Sequence, residues 1–211
     1  MKIITKEQYT PEWWEARRGV PTASNARKIM TGTGKVGDHY SLIYKLIADL
    51  NDPNYGVVDD YQTAAMKNGH IIEPEARQFY EFETDRKIVQ VGFCMDDEGR
   101  WGFSPDALVQ DKDGEYVGGL EIKCPQLNTH LKWLSGGVVP TEHRPQVYFS
   151  LAASGLSWWD FMSYHPGMPA LIVRVEQDDE MVKKMREYMD KFWTKFVLSK
   201  QQIDEIMKGE P

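Results

Sequence analysis

The sequence predicts an α/β (α+β) fold, a sheet with helices before, between and after its strands. Three patterns predict it. Leu42, Ile43, Leu46, Ile47 and Leu50 recur at helical spacing. Leu120-Glu121-Ile122-Lys123-Cys124 alternates apolar and charged residues, the period of a half-buried strand. Met181, Met185, Tyr188, Phe192 and Phe196 then form one stripe of a long final helix that starts near Asp178.

The elements follow in order. Thr10-Pro11-Glu12 opens a first helix with an N-cap residue, a proline at the first position and an acid in the first turn. Arg17-Arg18 and Gly19 close it. A second helix is expected after Asn25, from Ala26 through Met30. Thr31-Gly32-Thr33-Gly34-Lys35 is glycine-rich, but it lacks the phosphate-loop pattern and no apolar strand precedes it, so it is not a nucleotide site. After the 42–50 stripe, residues 51–60 read as a surface loop. A helix follows over 62–83, with Ala76, Phe79, Tyr80 and Phe82 apolar and a kink or new start near Glu73, since Pro74 removes a backbone donor.

A strand over 88–95 leads to a turn at Asp96-Asp97-Glu98-Gly99. Next come a hairpin, a helix over 127–134 ending near Gly136-Gly137, and a helix opening at Arg144-Pro145-Gln146. Strands at 158–162 and 171–175 precede the last helix.

The hairpin carries the chemistry. Ala107-Leu108-Val109-Gln110 reads as a strand, Asp111-Lys112-Asp113-Gly114 as its turn, and the Glu121 segment as its return. Alternation puts Glu121 and Lys123 on one face and Leu120, Ile122 and Cys124 on the other. Folding the hairpin brings Glu121 opposite roughly residues 104–106, so Asp106 joins Glu121 and Lys123 if the register holds. Gly118-Gly119 is a candidate bulge that leaves the register open. Two carboxylates and an ammonium on one face suit a hard divalent cation, and oxygen donors select magnesium or manganese over zinc.

Bulk properties bound the function. The chain has 211 residues and a net charge of −7, a length suited to one domain with a substantial core. The acidic total argues against a generic nucleic-acid coat and requires a DNA enzyme to concentrate its positive charge in one channel. The first residues, Met1-Lys2-Ile3-Ile4-Thr5-Lys6, lack the long apolar stretch expected of a signal peptide, and no apolar run is of membrane length. Two cysteines, Cys94 and Cys124, suit a reducing cytoplasm and make neither a disulfide framework nor a zinc knuckle. None of His39, His70, His130, His143 and His165 has zinc-site spacing, and His143 with Arg144 reads as an exposed loop that could contact phosphate.

Five segments occur in a distinctive order: Arg17-Arg18-Gly19-Val20-Pro21-Thr22-Ala23-Ser24, Gly69-His70-Ile71-Ile72-Glu73, Ser104-Pro105-Asp106, Leu120-Glu121-Ile122-Lys123-Cys124-Pro125 and Gln146-Val147. In this the chain resembles the lambda-exonuclease-like alkaline exonucleases, a viral recombinase family of the PD-(D/E)xK nuclease superfamily. The resemblance covers nearly all of the chain. It implies a restriction-endonuclease-like core, a central mixed β-sheet flanked by helices, and a single exonuclease domain spanning 1–211.

The resemblance also implies roles. Asp106 and Glu121 match the principal metal ligands, the Ile122 carbonyl a backbone ligand, and Glu73 the helix carboxylate of a second metal position. Lys123 matches the lysine that orients or activates the attacking water. Arg17, Ser24 and Ser104 match a pocket for a terminal 5′-phosphate, and Gln146 matches a glutamine near the catalytic centre. Two departures stand out: Tyr148 replaces the second glutamine of a Gln-Val-Gln pattern, and Pro74 follows Glu73 directly.

The expected function is then a 5′-to-3′ exonuclease on double-stranded DNA ends, releasing 5′-mononucleotides and leaving 3′ overhangs for phage-type recombination. Two Mg2+ ions per active site are implied, for which Mn2+ can substitute. Implied partners are a single-strand annealing protein and two further copies of the chain in a ring-shaped homotrimer, with no membrane. The implied setting is a bacterial host's cytoplasm, from a phage or prophage gene. Two alternatives share these residues: a restriction-type or repair endonuclease, and a DNA-binding module with a degenerate nuclease centre.

Overall fold

The structure is a computed structural model that describes residues 1–6, 8–52 and 64–209, with side chains described from residue 71 onward in the last stretch. The loop expected at 51–60 lies outside these residues except for Asn51 and Asp52, which end a helix. The start of the helix expected at 62 lies outside them as well.

Two sheets organise the chain. The larger has five strands in the order β2-β5-β6-β7-β8: β2 (Lys87–Val89), β5 (Ala107–Gln110), β6 (Tyr116–Lys123), β7 (Trp158–Ser163) and β8 (Leu171–Glu176). Strands β6 and β7 run parallel and the other pairs antiparallel, so the sheet is mixed. The smaller sheet has the order β1-β3-β4: β1 (Lys2–Ile4), β3 (Phe93–Met95) and β4 (Gly102–Phe103). The single strand expected over 88–95 is therefore two strands in different sheets. Gly92 marks the break. A Cβ there would lie 1.6 Å from the Lys6 carbonyl oxygen, so the backbone passes where only glycine fits.

Helices flank the sheet as the residue pattern dictates. In α1 (Pro11–Ala16), Thr10 caps the start by accepting from the Trp13 N–H. The second helix begins earlier than expected and is a 3₁₀ helix over Ala23–Lys28, opened by Thr22. Leu42, Ile43, Leu46 and Ile47 of α2 (His39–Asn51) enter the core, whereas Leu50 is 43% exposed and packs beside Gly19.

Helix α3 (Ala64–Thr84) runs through Pro74 without a new start. The proline forfeits one backbone bond, and the packing of Ala76 and Tyr80 against the sheet keeps the remaining turns in place. Phe82, expected on that apolar stripe, is instead 86% exposed. Helix α4 (Leu127–Gly136) ends at Gly137 in the left-handed region, φ 63°. Helix α5 (Arg144–Ser154) and the 29-residue α6 (Glu180–Lys208) pack on one another.

The sheet separates two apolar clusters. Leu120 and Ile122 meet Ala76, Tyr80, Trp158 and Met162 on the α3 side. Trp159 and Phe161 join α2, α5 and α6 on the other. Asp160 crosses into the first cluster as a charge with full partnership: it accepts from Tyr80 at 2.7 Å and from two Arg174 nitrogens at 2.8 Å. The Arg174 guanidinium in turn lies 3.7 Å from the Trp158 ring centroid.

Glycines in β6 make room for these rings. A Cβ on Gly119 would lie 2.3 Å from the Trp159 ring, which is fully buried and cannot yield. Gly119→Ala is therefore expected to lower stability by about 1–3 kcal/mol through overpacking. Gly136→Ala, which meets open space in the last turn of α4, leaves stability unchanged or slightly higher. Urea unfolding followed by tryptophan fluorescence compares the two.

Candidate active site

The hairpin register settles which residues meet. Ala107 pairs with Leu120, Leu108 with Gly119 and Val109 with Gly118. One step outward, Asp106 stands across from Glu121, and its N–H donates to the Leu120 carbonyl at 3.1 Å. The irregularity lies between Val109 and Gln110, toward the turn. Glycines 118 and 119 pair regularly, so the bulge does not disturb the carboxylate end.

Glu121 is only 2% exposed. Its carboxylate accepts a charge-assisted bond from the Lys123 ammonium. Asp106 accepts from the Ile122 N–H. Burial pushes the Asp106 carboxyl well above the usual carboxylate range, the neighbouring Glu121 charge pushes the same way, and Lys123 only partly opposes them. Burial alone would lower the Lys123 pKa, yet the surrounding Glu121 and Asp106 carboxylates outweigh it and hold the side chain as an ammonium.

Glu73, on α3, adds its charge to those acting on Asp106 and Lys123 and pairs with Arg77 one turn along. Among the described residues no three carboxylates, imidazoles or thiols already surround one point as a metal cage. Their chemistry nevertheless suits a cation. Asp106, Glu121 and Glu73 offer oxygen donors only, three carboxylates beside the two cations Lys123 and Arg77.

The second half of the site is a half-buried cation. Arg17 donates to Ser104 Oγ at 3.0 Å, Ser24 Oγ at 3.3 Å and Thr22 Oγ1 at 3.5 Å. Its guanidinium lies 4.2 Å from the Trp13 ring centroid and 5.4 Å from that of Phe93. Trp13 is fixed by donating its indole N–H to Gly92 O at 3.0 Å and Ser104 Oγ at 3.2 Å. Among the described residues no carboxylate pairs with Arg17. Burial lowers its pKa to about 10, so it remains charged at neutral pH. A half-buried cation held by hydroxyls, with no carboxylate partner among the described residues, has the chemistry to accept an anion.

Two residues of chain join the halves. Ser104 touches Arg17 and Asp106 faces Glu121, so their Cα atoms stand at most about 7 Å apart.

Two participants are not evident from sequence patterning. Tyr9 lines a cleft with Gln8, Glu73, Arg77 and Asp106. Its phenol pKa is raised first by burial and then by the charges of Glu73 and Asp106, while Lys123 and Arg17 pull it down. His143 was expected on an exposed loop but is half-buried, stacked on Phe161 with ring centroids 5.5 Å apart. Burial, with a smaller push from Lys123, lowers its pKa to about 4 and keeps it neutral. Since Phe161 pairs with Glu121 in the sheet, the start of α5 faces the Glu121–Lys123 side. Gln146 lies half-buried in that first turn, one turn from His143, and takes no part in the hydrogen bonds that hold Arg17 or the carboxylates. Tyr148, by contrast, is buried in the core cluster, which accounts for an aromatic residue at that position.

The fold and site together define a nuclease-type α/β core of the PD-(D/E)xK kind. Residues 12–157 match the YqaJ-like viral recombinase domain, and the chain belongs to that family. Among solved structures it is similar to an alkaline exonuclease from Laribacter hongkongensis, LHK-Exo, with 28% identity and a TM-score of 0.78 over 96% of this chain and all of that one. The complex of LHK-Exo with dAMP gives a TM-score of 0.79 at the same identity and coverage. A phage-related exonuclease from Haemophilus somnus 129PT shares the fold at 11% identity, with a TM-score of 0.61 over 89% of this chain and 96% of its own. No curated protein sequence matches the chain.

The crowding of carboxylates yields a prediction. A carboxyl whose pKa is raised on folding contributes stability that is present below its unfolded pKa and lost as pH rises through the folded value. Asp106→Asn keeps an acceptor for the Ile122 N–H and removes that loss. In chelator, the variant is expected to melt at a higher temperature than wild type at pH 7–8, and the difference should close below about pH 4. Thermal melts across pH measure it.

Proposed function

We propose that the chain is a metal-dependent deoxyribonuclease that degrades duplex DNA from its 5′ ends. The observation that carries this reading is the pairing of two opposite sites joined through Ser104 and Asp106: a half-buried Arg17 with no carboxylate partner among the described residues, and the Asp106–Glu121–Lys123 cluster. An endonuclease needs only the second. A terminal phosphate in the first, with the scissile phosphate at the second, directs cleavage to a chain end.

Roles follow from chemistry. Arg17, with Ser24 and Ser104, grips the terminal 5′-phosphate through its planar fork. Asp106, Glu121, the Ile122 carbonyl and Glu73 would hold divalent cations, magnesium or manganese by donor type. Such ions, when bound, polarise the phosphate and supply the attacking hydroxide. Lys123, kept charged by its carboxylates, stabilises the negative charge that develops on the phosphoryl oxygens. Gln146, reaching from α5, orients water or phosphate beside it.

LHK-Exo has been solved with dAMP, the type of nucleoside monophosphate that such a reaction would release. The same proposal includes a 5′-to-3′ direction, 3′ overhangs, a ring-shaped trimer of this chain and delivery of the overhang to a single-strand annealing protein. A basic channel through the ring would reconcile the net charge of −7 with DNA binding. Among the described residues no helix is long and apolar enough to cross a membrane.

Digestion of linear duplexes in magnesium, with and without 5′-phosphate, tests the reading. Wild type is expected to favour the phosphorylated end, and Arg17→Ala to lose that preference while retaining slow cleavage. Lys123→Ala is expected to lower the rate by about 10²–10³, and chelator to abolish it. Rapid cutting of covalently closed circles would favour an endonuclease instead.

A further inference from the structure

Tyr9 occupies a backbone conformation that a tyrosine seldom adopts. Its φ is 68°, in the left-handed region where a Cβ is unfavourable. A strained residue of this kind persists only where its surroundings fix it. They do so here. The neighbouring Gln8 side chain donates to the Val91 carbonyl at 3.2 Å and to the Pro105 carbonyl at 3.3 Å, tying this segment to the residue before Asp106. The Tyr9 ring rests against Trp13, centroids 5.3 Å apart, and Trp13 is the platform beneath Arg17. Tyr9 thus meets both halves of the site, sharing a cleft with Glu73 and Asp106 and resting against the indole that carries Arg17. The residue is 49% exposed in that open cleft.

We propose that Tyr9 is a positioning residue for the 5′-terminal nucleotide, its hydroxyl donating to the sugar-phosphate between the Arg17 pocket and the carboxylate cluster. The identity of that nucleotide rests on the nuclease reading above. The geometry is restrictive. Ser104 and Asp106 are separated by about 7 Å at most, room for a single nucleotide, and Tyr9 shares the cleft with Asp106 while its ring rests on Trp13, beneath Arg17. A phenol keeps its proton at neutral pH and serves as a donor there.

The test separates this role from packing and from the nuclease reading. Binding of 5′-dAMP to the full chain is measured by calorimetry for wild type, Tyr9→Phe and Tyr9→Gly. Tyr9→Phe keeps ring and backbone, so a purely structural tyrosine predicts unchanged binding. The proposed donor predicts weakening of about tenfold or more, the loss expected for one hydrogen bond to a charged group. Tyr9→Gly relieves the left-handed strain, so it is expected to fold at least as stably while binding no better than Tyr9→Phe. On 5′-phosphorylated duplex the same variants are expected to lose kcat/KM in proportion. Either variant binding dAMP as tightly as wild type, or wild type binding none at millimolar concentration, would overturn the proposal. Tyr9-dependent dAMP binding in a protein that digests no DNA would instead overturn the nuclease reading and leave Tyr9 in place.

Discussion

The site depends on one constraint, a carboxylate that has almost no water. Glu121 sits in the middle of a five-stranded sheet at 2% exposure, where an unpaired charge would cost several kcal/mol. Lys123, two residues along the same strand face, is the local answer, and alternation along a strand makes that proximity unavoidable. Asp106 then arrives across the hairpin, and the balance of charge is lost again. Burial raises the Asp106 carboxyl first, and the neighbouring Glu121 charge adds to it. Three carboxylates, Asp106, Glu121 and Glu73, stand beside Lys123 and Arg77, a donor set suited to cations.

The opposite imbalance holds a few residues away. Arg17 is half-buried against Trp13 and Phe93 and held by hydroxyls that solvate it without neutralising it. Groups whose charge the protein only partly compensates are commonly retained where a ligand completes them. The link through Ser104, Pro105 and Asp106 is short, so neither half can shift without the other. The β4–β5 connection is in this sense the ruler of the site, and the hairpin is its anvil.

The sequence made the chemical centre legible because strand alternation and hairpin turns are local rules. Glu121 and Lys123 could be placed on one face from their spacing, with Asp106 joining them once the register was fixed, and Thr10 and Pro11 announced α1. Other features depend on contacts that no local pattern encodes. The smaller sheet was missed because β1 and β4 are very short and the break at Gly92 is imposed by the distant Lys6 carbonyl. Pro74 read as an interruption, yet packing of Ala76 and Tyr80 carries α3 through it. His143 read as a surface residue because its cover, Phe161 and Trp133, comes from other elements. Tyr9 was silent for a subtler reason: a positive φ at a non-glycine leaves no mark in composition or period.

The surroundings of Lys123 bear on how such a centre divides its labour. A lysine serves as a base only when its pKa approaches the working pH, which requires burial to prevail over nearby negative charge. In this cluster the carboxylates prevail, and the ammonium is held firmly. Cations placed on Asp106 and Glu121 would offset those carboxylates and weaken the hold, so the protonation state of Lys123 is tied to occupancy of the site. On the proposed reading, the same strand would supply a counter-ion to Glu121 and, with cations bound, a charge beside the reacting phosphate. Replacing Lys123 by a neutral residue removes both, and its effects on folding and on rate have to be separated by measuring stability in the absence of metal.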